Sequence, residues 1–399
     1  MDPVRNPFAP GAGSPPPELA GRETLLEQAR IAVARIRQGN PAKSLILVGL
    51  RGVGKTVLLV RIREMAEQAG YKAVLVEAHE GKRMAELLVP SLRQILFHLD
   101  GIANARDKAR RGLRVLKSFV GGMRFSIGEI HLELGIDAEK GTGDSGDLEA
   151  DLAELFVALG EAAKAGNTAV SLCIDELQYL NEKEFSALIM AIHRTNQLKL
   201  PIVIVGAGLP QILGLAGASK SYSERLFDFP RVGALNDQDA KAALQVPVES
   251  MEVRFTGHAL NEILRVTECY PYFLQQWGHE AWNIAATSPI SEEVVKKATG
   301  QAIKSLDENF FRVRFDRCTP SEKRYLRALA DFGSSPQRSG DIAERLGVKT
   351  TTVGPIRSKL IIKGMIYSPQ HGDTAFTVPM FDAYMRRTMP DGTWATRQT

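Results

Sequence analysis

The sequence predicts an α/β protein: a parallel-sheet P-loop core, a helical lid, and a C-terminal winged helix-turn-helix. Three observations predict it. A glycine-rich loop ending in Lys-Thr lies between an apolar run and an apolar-periodic one. A second apolar run ends in Asp175-Glu176, and the last part of the chain reads as three short helices and a hairpin. At 399 residues, 44% hydrophobic and 24% charged, the chain has the composition of an ordinary soluble protein of about two or three domains.

Gly49-Leu50-Arg51-Gly52-Val53-Gly54-Lys55-Thr56 follows the apolar run Ser44–Val48 and precedes Val57-Leu58-Leu59-Val60. Strand, glycine-rich loop and helix are the context a P-loop requires. Glycines let successive backbone N–H groups turn into a concavity that fits phosphate oxygens, and the helix N-terminus adds its partial positive charge there. Lys55 is expected to reach the β- and γ-phosphates and the Thr56 hydroxyl to hold Mg²⁺. Gly49, Arg51, Gly52, Val53, Gly54 and Val57 complete the expected contacts, and the cofactors expected are ATP and Mg²⁺. The run Ala169–Ile174 ends in Asp175-Glu176, the acidic element such a loop needs. Asp175 is expected to support Mg²⁺, and Glu176 to activate the attacking water as general base.

Three cysteines, Cys173, Cys269 and Cys318, are odd in number and far apart, which argues against a disulfide framework or a zinc site and for a reducing cytoplasm. Residues 200–219 carry no charge, but Pro201, Pro210 and four glycines interrupt them, so they read as strand, turn and short helix rather than a membrane span. The net charge of +4 is uneven. Residues 317–399 hold 13 Lys/Arg against 7 Asp/Glu, and the remainder 37 against 39, so DNA binding is sought first at the C-terminal end.

In chain order, residues 1–18 are a Pro-rich arm, expected to lie along another surface or stay mobile. The core spans 19–235. Gly21-Arg22-Glu23 opens a helix and makes Arg22 a candidate for packing the base. Strands follow at Ser44–Val48 and Tyr71–Glu77, with the P-loop helix between, which implies right-handed parallel crossovers. The basic stretch Ala103–Lys117 is either a solvated helix face or a phosphate-contacting surface. Residues 123–137 read as an inserted β-hairpin. Arg225, in a segment after the last core strand, either reaches a neighbouring subunit's γ-phosphate or pairs locally with Glu224 or Asp228. Residues 236–315 are a helical lid and linker helix, with Tyr270, Tyr272, Phe273, Trp277 and Trp282 at core spacing. Residues 316–399 are the winged helix, whose third helix would enter the major groove. Lys349, Thr350, Thr351, Thr352, Arg357, Lys359 and Lys363 are its candidate contacts to double-stranded DNA. Pro355 is expected in that helix's first turn.

With these motifs assembled, residues 19–387 resemble the Orc1/Cdc6-like and STAND-type branch of AAA+ P-loop ATPases, in the order Gly-Arg-Glu box, P-loop, Asp-Glu strand, helical lid, winged helix. Tyr270-Pro271 resembles the Gly-x-Pro element of STAND proteins, with Cys269 in the glycine's place, and implies that Pro271 touches nucleotide. Two departures stand out. Gly206-Ala207-Gly208 offers no polar sensor at the end of the fourth strand, and no sensor arginine lies near Tyr270-Pro271. The resemblance therefore implies a slowly hydrolysing, nucleotide-controlled switch that forms homo-oligomers in its ATP state and binds DNA through its winged helix; the alternatives are a STAND-type signalling or defence switch whose winged helix contacts a protein partner, or an ATP-dependent loader for replication or transposition.

Overall fold

The computed structural model describes residues 1–11, 16–122, 137–219, 223–370 and 372–391. Its centre is a parallel sheet in the order β2-β3-β4-β1-β5. The strands are β1 (Ser44–Val48), β2 (Tyr71–Glu77), β3 (Ala169–Asp175), β4 (Ile202–Gly208) and the short edge strand β5 (Phe227–Asp228). β1, β3 and β4 are buried along their whole length, as continuous apolar strands must be when helices cover both faces.

Alternation along β1 divides the two sides: Leu45 and Leu47 join one core, Ile46 and Val48 the other. The Ile46 side carries α3 (Met84–Asp100), α4 (Arg106–Gly122), α5 (Leu148–Ala165) and α6 (Glu182–Gln197). The opposite side carries α1 (Glu23–Arg37) and α2 (Lys55–Gln68). Two short helices, α7 (Ile212–Ser219) and α8 (Ser223–Leu226), lead from β4 to β5. Among the described residues no helix is long and apolar enough to cross a membrane.

The lid comprises α9 (Asp237–Glu249), α10 (Gly257–Thr267), α11 (Pro271–Ile284) and α12 (Glu292–Ser305). Asn236 caps α9 by accepting from the Asp239 N–H at 2.9 Å, and Thr256 caps α10 from Ala259 at 3.2 Å. From α12 the backbone runs through a π-helical turn, Leu306–Phe311, into α13 (Arg312–Asp316). The linker was expected as one plain helix. The wide turn carries an extra residue, a feature that recurs at functional sites.

The C-terminal unit has α14 (Pro320–Ala330), opened by a Thr319/Glu322 capping box, then α15 (Ser339–Leu346) and α16 (Thr350–Ile362). The expected hairpin is β7 (Ile366–Tyr367) with β8 (Asp373–Phe376), and β6 (Gln337–Arg338) adds to it in the antiparallel order β6-β8-β7. A closing helix, α17 (Phe381–Thr388), was not foreseen. Its Phe381 and Tyr384 pack on Phe311, so it ties this unit to the π-turn.

Several boundaries are set by local chemistry. α6 begins at Glu182 because Asn181 and Glu184 form a capping box. β4 extends through Gly208, since Gly206, Ala207 and Gly208 still pair with β1. Pro355 is the sixth residue of α16, beyond the first turn, where the Thr351 carbonyl it cannot serve lies on an exposed stretch. The basic stretch is α4, and its charges are spent on neighbours: Lys108 on Glu161 at 2.9 Å, Arg110 on Asp100 at 3.0 Å, Arg111 on Glu139 at 3.0 Å. That is the solvated, ion-paired face. The hairpin expected at residues 123–137 falls almost wholly outside the described residues.

Gly206 lies where β4 passes the loop after β3, and a Cβ there would meet Leu177 Cδ1 at 2.2 Å. Gly206→Ala should therefore destabilise the fold by about 1–3 kcal/mol, by overpacking, read as a lowered urea midpoint with an unchanged m-value. An unchanged midpoint would show that the loop yields freely.

Candidate nucleotide site

Ligand crevices in open parallel sheets form at the carboxyl ends of the strands, where the strand order switches. Here β4 lies between β1 and β3, so the P-loop and Asp175-Glu176 face one another across it. The loop's first residue is packed tightly: a Cβ on Gly49 would stand 2.1 Å from the Val232 carbonyl. Gly54 has φ +91°, which turns the chain into α2 with Lys55 as its first residue.

The residues brought together are those chemistry requires. Lys55 is only 7% exposed, and its Nζ donates to the Leu50 carbonyl at 2.9 Å. Burial holds its pKa below the usual lysine value, against the pull of Glu176 and Asp175. Thr56 Oγ1 donates to Asp175 Oδ2 at 2.5 Å, so the two expected Mg²⁺ partners already share a hydrogen bond. Burial raises the Asp175 pKa, and the bond from Thr56 opposes that rise. A buried carboxylate beside a hydroxyl fits a hard divalent ion bound mostly through phosphate and water. Bound there, Mg²⁺ would supply charge neutralisation for a transferring phosphoryl group.

Glu176 follows at φ +54°, a left-handed conformation that a side-chain-bearing residue rarely adopts, and it lines the pocket. Its carboxylate is engaged twice: Arg51 Nη1 lies 3.6 Å from Oε1, and Gln178 Nε2 donates to Oε2. Gln178 Oε1 accepts from the Leu209 N–H at 3.0 Å and occupies the space over Gly208. The space beside the end of β4 is thus filled from the loop after β3.

Around these residues is a cavity of about 240 Å³. Its walls include Gly52 to Val57, Arg22 and Pro271. Arg22 Nη2 also donates to the Gly233 carbonyl at 2.6 Å, which ties the core's first helix to the chain entering the lid. The lid closes on the P-loop through α11. The Tyr272 N–H donates to the Gly52 carbonyl at 3.1 Å, and the Tyr270 hydroxyl donates to the Arg51 carbonyl.

Residues 18–205 match the AAA ATPase domain family. The core of this chain is an AAA ATPase domain. Residues 308–385 match a domain of unknown function (DUF8462). No curated protein matches the chain. Among solved structures, the Walker-type ATPase of Pyrococcus abyssi is similar at 15% identity and TM-score 0.57, over 92% of this chain and 96% of that one, which shows the shared fold. Also similar is the Orc1 protein of Aeropyrum pernix in complex with DNA, at 15% identity and TM-score 0.48 over 98% and 97% of the two chains. A third is the Thermotoga maritima RuvB Holliday junction branch migration motor, at 14% and 0.45 over 91% and 96%. The family match over residues 18–205 supports the expected AAA+ P-loop core and an ATP-binding ATPase.

The AAA pocket also holds residues that motif reading missed. Arg314, from α13, lines it; Phe310, from the π-turn, stacks on Tyr272 at 4.6 Å and lies 3.9 Å beneath the Arg314 guanidinium. Burial pushes the Arg314 pKa down to about 10, with the Arg51 charge adding to the effect. An arginine does reach the site from the lid side, from beyond α12 rather than beside Pro271, because the π-turn sets its phase. The signal available in sequence was Phe310-Phe311 with Arg312 and Arg314 at the end of a charged helix, which has no motif spacing. The N-terminal arm was missed as a pocket wall. Phe8 is buried against Gly278 and Phe255, Asn6 bonds His279 and Asn283, and Ala9, Pro10 and Gly11 thereby border the cavity.

Other candidates lie elsewhere. Arg225 is exposed on α8, beside the start of β1 rather than its P-loop end. Lys43 takes Asp228 at 3.1 Å, so among the described residues the local pairing of Arg225 with Asp228 is not formed. Lys349, Thr350, Thr351, Thr352 and Lys359 are exposed on and beside α16. Arg357 donates to Thr374 and Ser368, and Lys363 pairs with Glu322 at 2.7 Å, so both are committed to their own domain.

Lys55→Ala should lower ATP affinity roughly 100-fold, by removing a charged hydrogen-bond donor to phosphate, measured with a fluorescent ATP analogue; near-native affinity would displace Lys55 from the phosphate role. Glu176→Gln should bind ATP normally yet slow turnover about 10²- to 10⁴-fold, the usual reach of a general base. Retention of the wild-type single-turnover rate would remove Glu176 from that role.

Proposed function

We propose that this protein is a slowly hydrolysing ATP switch whose C-terminal domain, a winged helix, binds DNA in a nucleotide-dependent way. Arg51 carries this proposal. From inside the P-loop its guanidinium faces Glu176 and Tyr179, its Nε donates to the Gly364 carbonyl at 3.4 Å, and its backbone N–H donates to the Thr377 carbonyl at 3.2 Å. Gly364 follows α16, and Thr377 follows β8. The same residue thus touches the general base and both ends of the hairpin region. A γ-phosphate that drew Arg51 toward itself would weaken the hold on the C-terminal domain and free Glu176 together.

Glu176 held between Arg51 and Gln178 supports slow hydrolysis, since a base already paired must be released before it accepts a proton. The exposed Lys349, Thr350, Thr351, Thr352 and Lys359 support DNA as the ligand: they occupy the start and outer face of the third helix, the part that enters a major groove in this class of domain. The docked hairpin equally supports a second reading, in which the C-terminal domain is an internal clamp released toward a protein partner. Exposed Arg225 supports ATP-state oligomers in which it meets a neighbour's phosphate.

Fluorescence anisotropy of a labelled duplex, with ATP, ADP or no nucleotide, should give salt-sensitive binding that differs between states, because phosphate contacts dominate such affinities. In Arg51→Ala the duplex affinity should become the same in every nucleotide state. No duplex binding in any state at low salt would overturn DNA as the ligand and favour the clamp. Arg225→Ala should slow turnover per subunit only at concentrations where the ATP-bound protein self-associates; equal turnover across that range would return Arg225 to the surface.

A further inference from the structure

Glu176 is engaged at both carboxylate oxygens, and the two engagements differ in kind. Oε1 faces Arg51 Nη1 at 3.6 Å, on a long side chain that also reaches Tyr179 and Gly364. Oε2 accepts from the Gln178 amide, and that amide is fixed at its other end. Gln178 Oε1 accepts from the Leu209 N–H at 3.0 Å, immediately beyond β4. A backbone N–H can only donate, so this bond decides which way the amide points: its oxygen faces Leu209 and its Nε2 faces Glu176. The turn that carries it, Leu177–Tyr179, is pinned on either side of Gln178. Leu177 is fully buried against Gly206, and the Tyr179 hydroxyl accepts from Arg51 at 3.3 Å. A Cβ on Gly208 would stand 3.2 Å from Gln178 Oε1, so the amide fits closely over the end of β4. Glu176 lines the cavity; Gln178 stands behind it, outside the wall.

We infer that Gln178 is a positioning residue: it ties Oε2 of Glu176 to the end of β4 and leaves Oε1 as the oxygen that takes the proton from the attacking water. It rests on the reading of Glu176 as general base. Proton abstraction needs one carboxylate oxygen aimed at the water within hydrogen-bond reach, and an unsupported carboxylate rotates. Glu176 stands past the end of β3 at φ +54°, so the sheet does not set the direction of its side chain. Arg51 can be drawn from Oε1 toward phosphate by side-chain rotation alone. Gln178 cannot leave Oε2 without also giving up its bond to the Leu209 backbone. One oxygen is held while the other is released, and the base keeps its orientation at the moment it is needed. In that step the water oxygen bonds the γ-phosphorus and its proton passes to Oε1. The bond to the β,γ-bridging oxygen breaks, and its electron pair leaves on ADP.

The test is single-turnover ATP hydrolysis by the full-length protein, with affinity measured separately by a fluorescent ATP analogue. Gln178→Glu keeps an acceptor for the Leu209 N–H and removes only the donor to Glu176. It should slow hydrolysis about 10- to 100-fold, the worth of a hydrogen bond to a charged group, and leave affinity within about threefold. Gln178→Leu removes donor and acceptor without adding charge, and should slow hydrolysis at least as much. Because Gln178 acts through Glu176, adding Gln178→Glu to Glu176→Gln should cost nothing further. A merely structural anchor for Leu209 gives the opposite pattern: Gln178→Glu hydrolyses at the wild-type rate, and only Gln178→Leu is impaired, with a lowered thermal midpoint. A wild-type rate in Gln178→Glu, or an additive loss in the double variant, would overturn the inference. The general-base reading fails separately, and takes this role with it, if Glu176→Gln alone keeps the wild-type single-turnover rate.

Discussion

Arg51 is the constraint on which the rest of this arrangement depends. A P-loop tolerates many residues at its variable positions, because only backbone N–H groups and the terminal lysine and hydroxyl meet phosphate. Here one variable position holds a long, forked cation with five donors, and the structure uses it in several directions: toward Glu176, toward Tyr179, and toward the Gly364 carbonyl. Gly364 is itself fitted to it, since a Cβ there would stand 2.6 Å from Arg51 Nη2. The ion pair with Glu176 is largely shielded, with each side chain about a fifth exposed, so it is worth more than a surface pair and costs more to break unpaired. Lid, core and C-terminal domain are all registered on this short stretch of loop.

That registration explains which parts of the molecule were legible from sequence. β1 and β3 fall at the boundaries read from apolar runs, since continuous burial on both faces leaves little freedom in where such strands start and stop, and the edge strand β2 falls between Gly70 and the polar turn that follows it. The P-loop and Asp175-Glu176 were legible for a different reason: their chemistry tolerates few residue types, so spacing and identity alone mark them. The three helices and hairpin of the C-terminal unit were readable from caps and stops such as Thr319, Gly347 and Gly364.

What was not legible is what long-range packing creates. Arg314 enters the pocket only because a π-turn far along the chain brings it there, and nothing local distinguishes it from Arg312. Gln178 takes the place left by Gly208, so the missing sensor side chain on β4 and the glutamine after β3 are two sides of one substitution in space. The arm's role follows from Phe8 meeting a glycine on α11, a pairing that composition does not reveal. The basic stretch in α4 shows the opposite case: its charges suggested an external ligand, and Glu139, Glu161 and Asp100 of the same chain answer them.

The π-turn at Leu306–Phe311 has a geometric meaning beyond the two side chains it directs. Each residue of an α-helix advances the azimuth by about 100°, so a turn with one residue too many stores a rotation that cannot relax without changing chain length. Upstream of it, α12 packs in the lid; downstream, α13 packs on α17 of the C-terminal domain through Phe315 and Tyr384. The angular phase of one domain about the other is therefore written into this segment as a count of residues. A deletion here would leave every element intact and would turn the hairpin away from the loop it now faces. Insertions and deletions, rather than substitutions, are the changes to which this hinge is most sensitive.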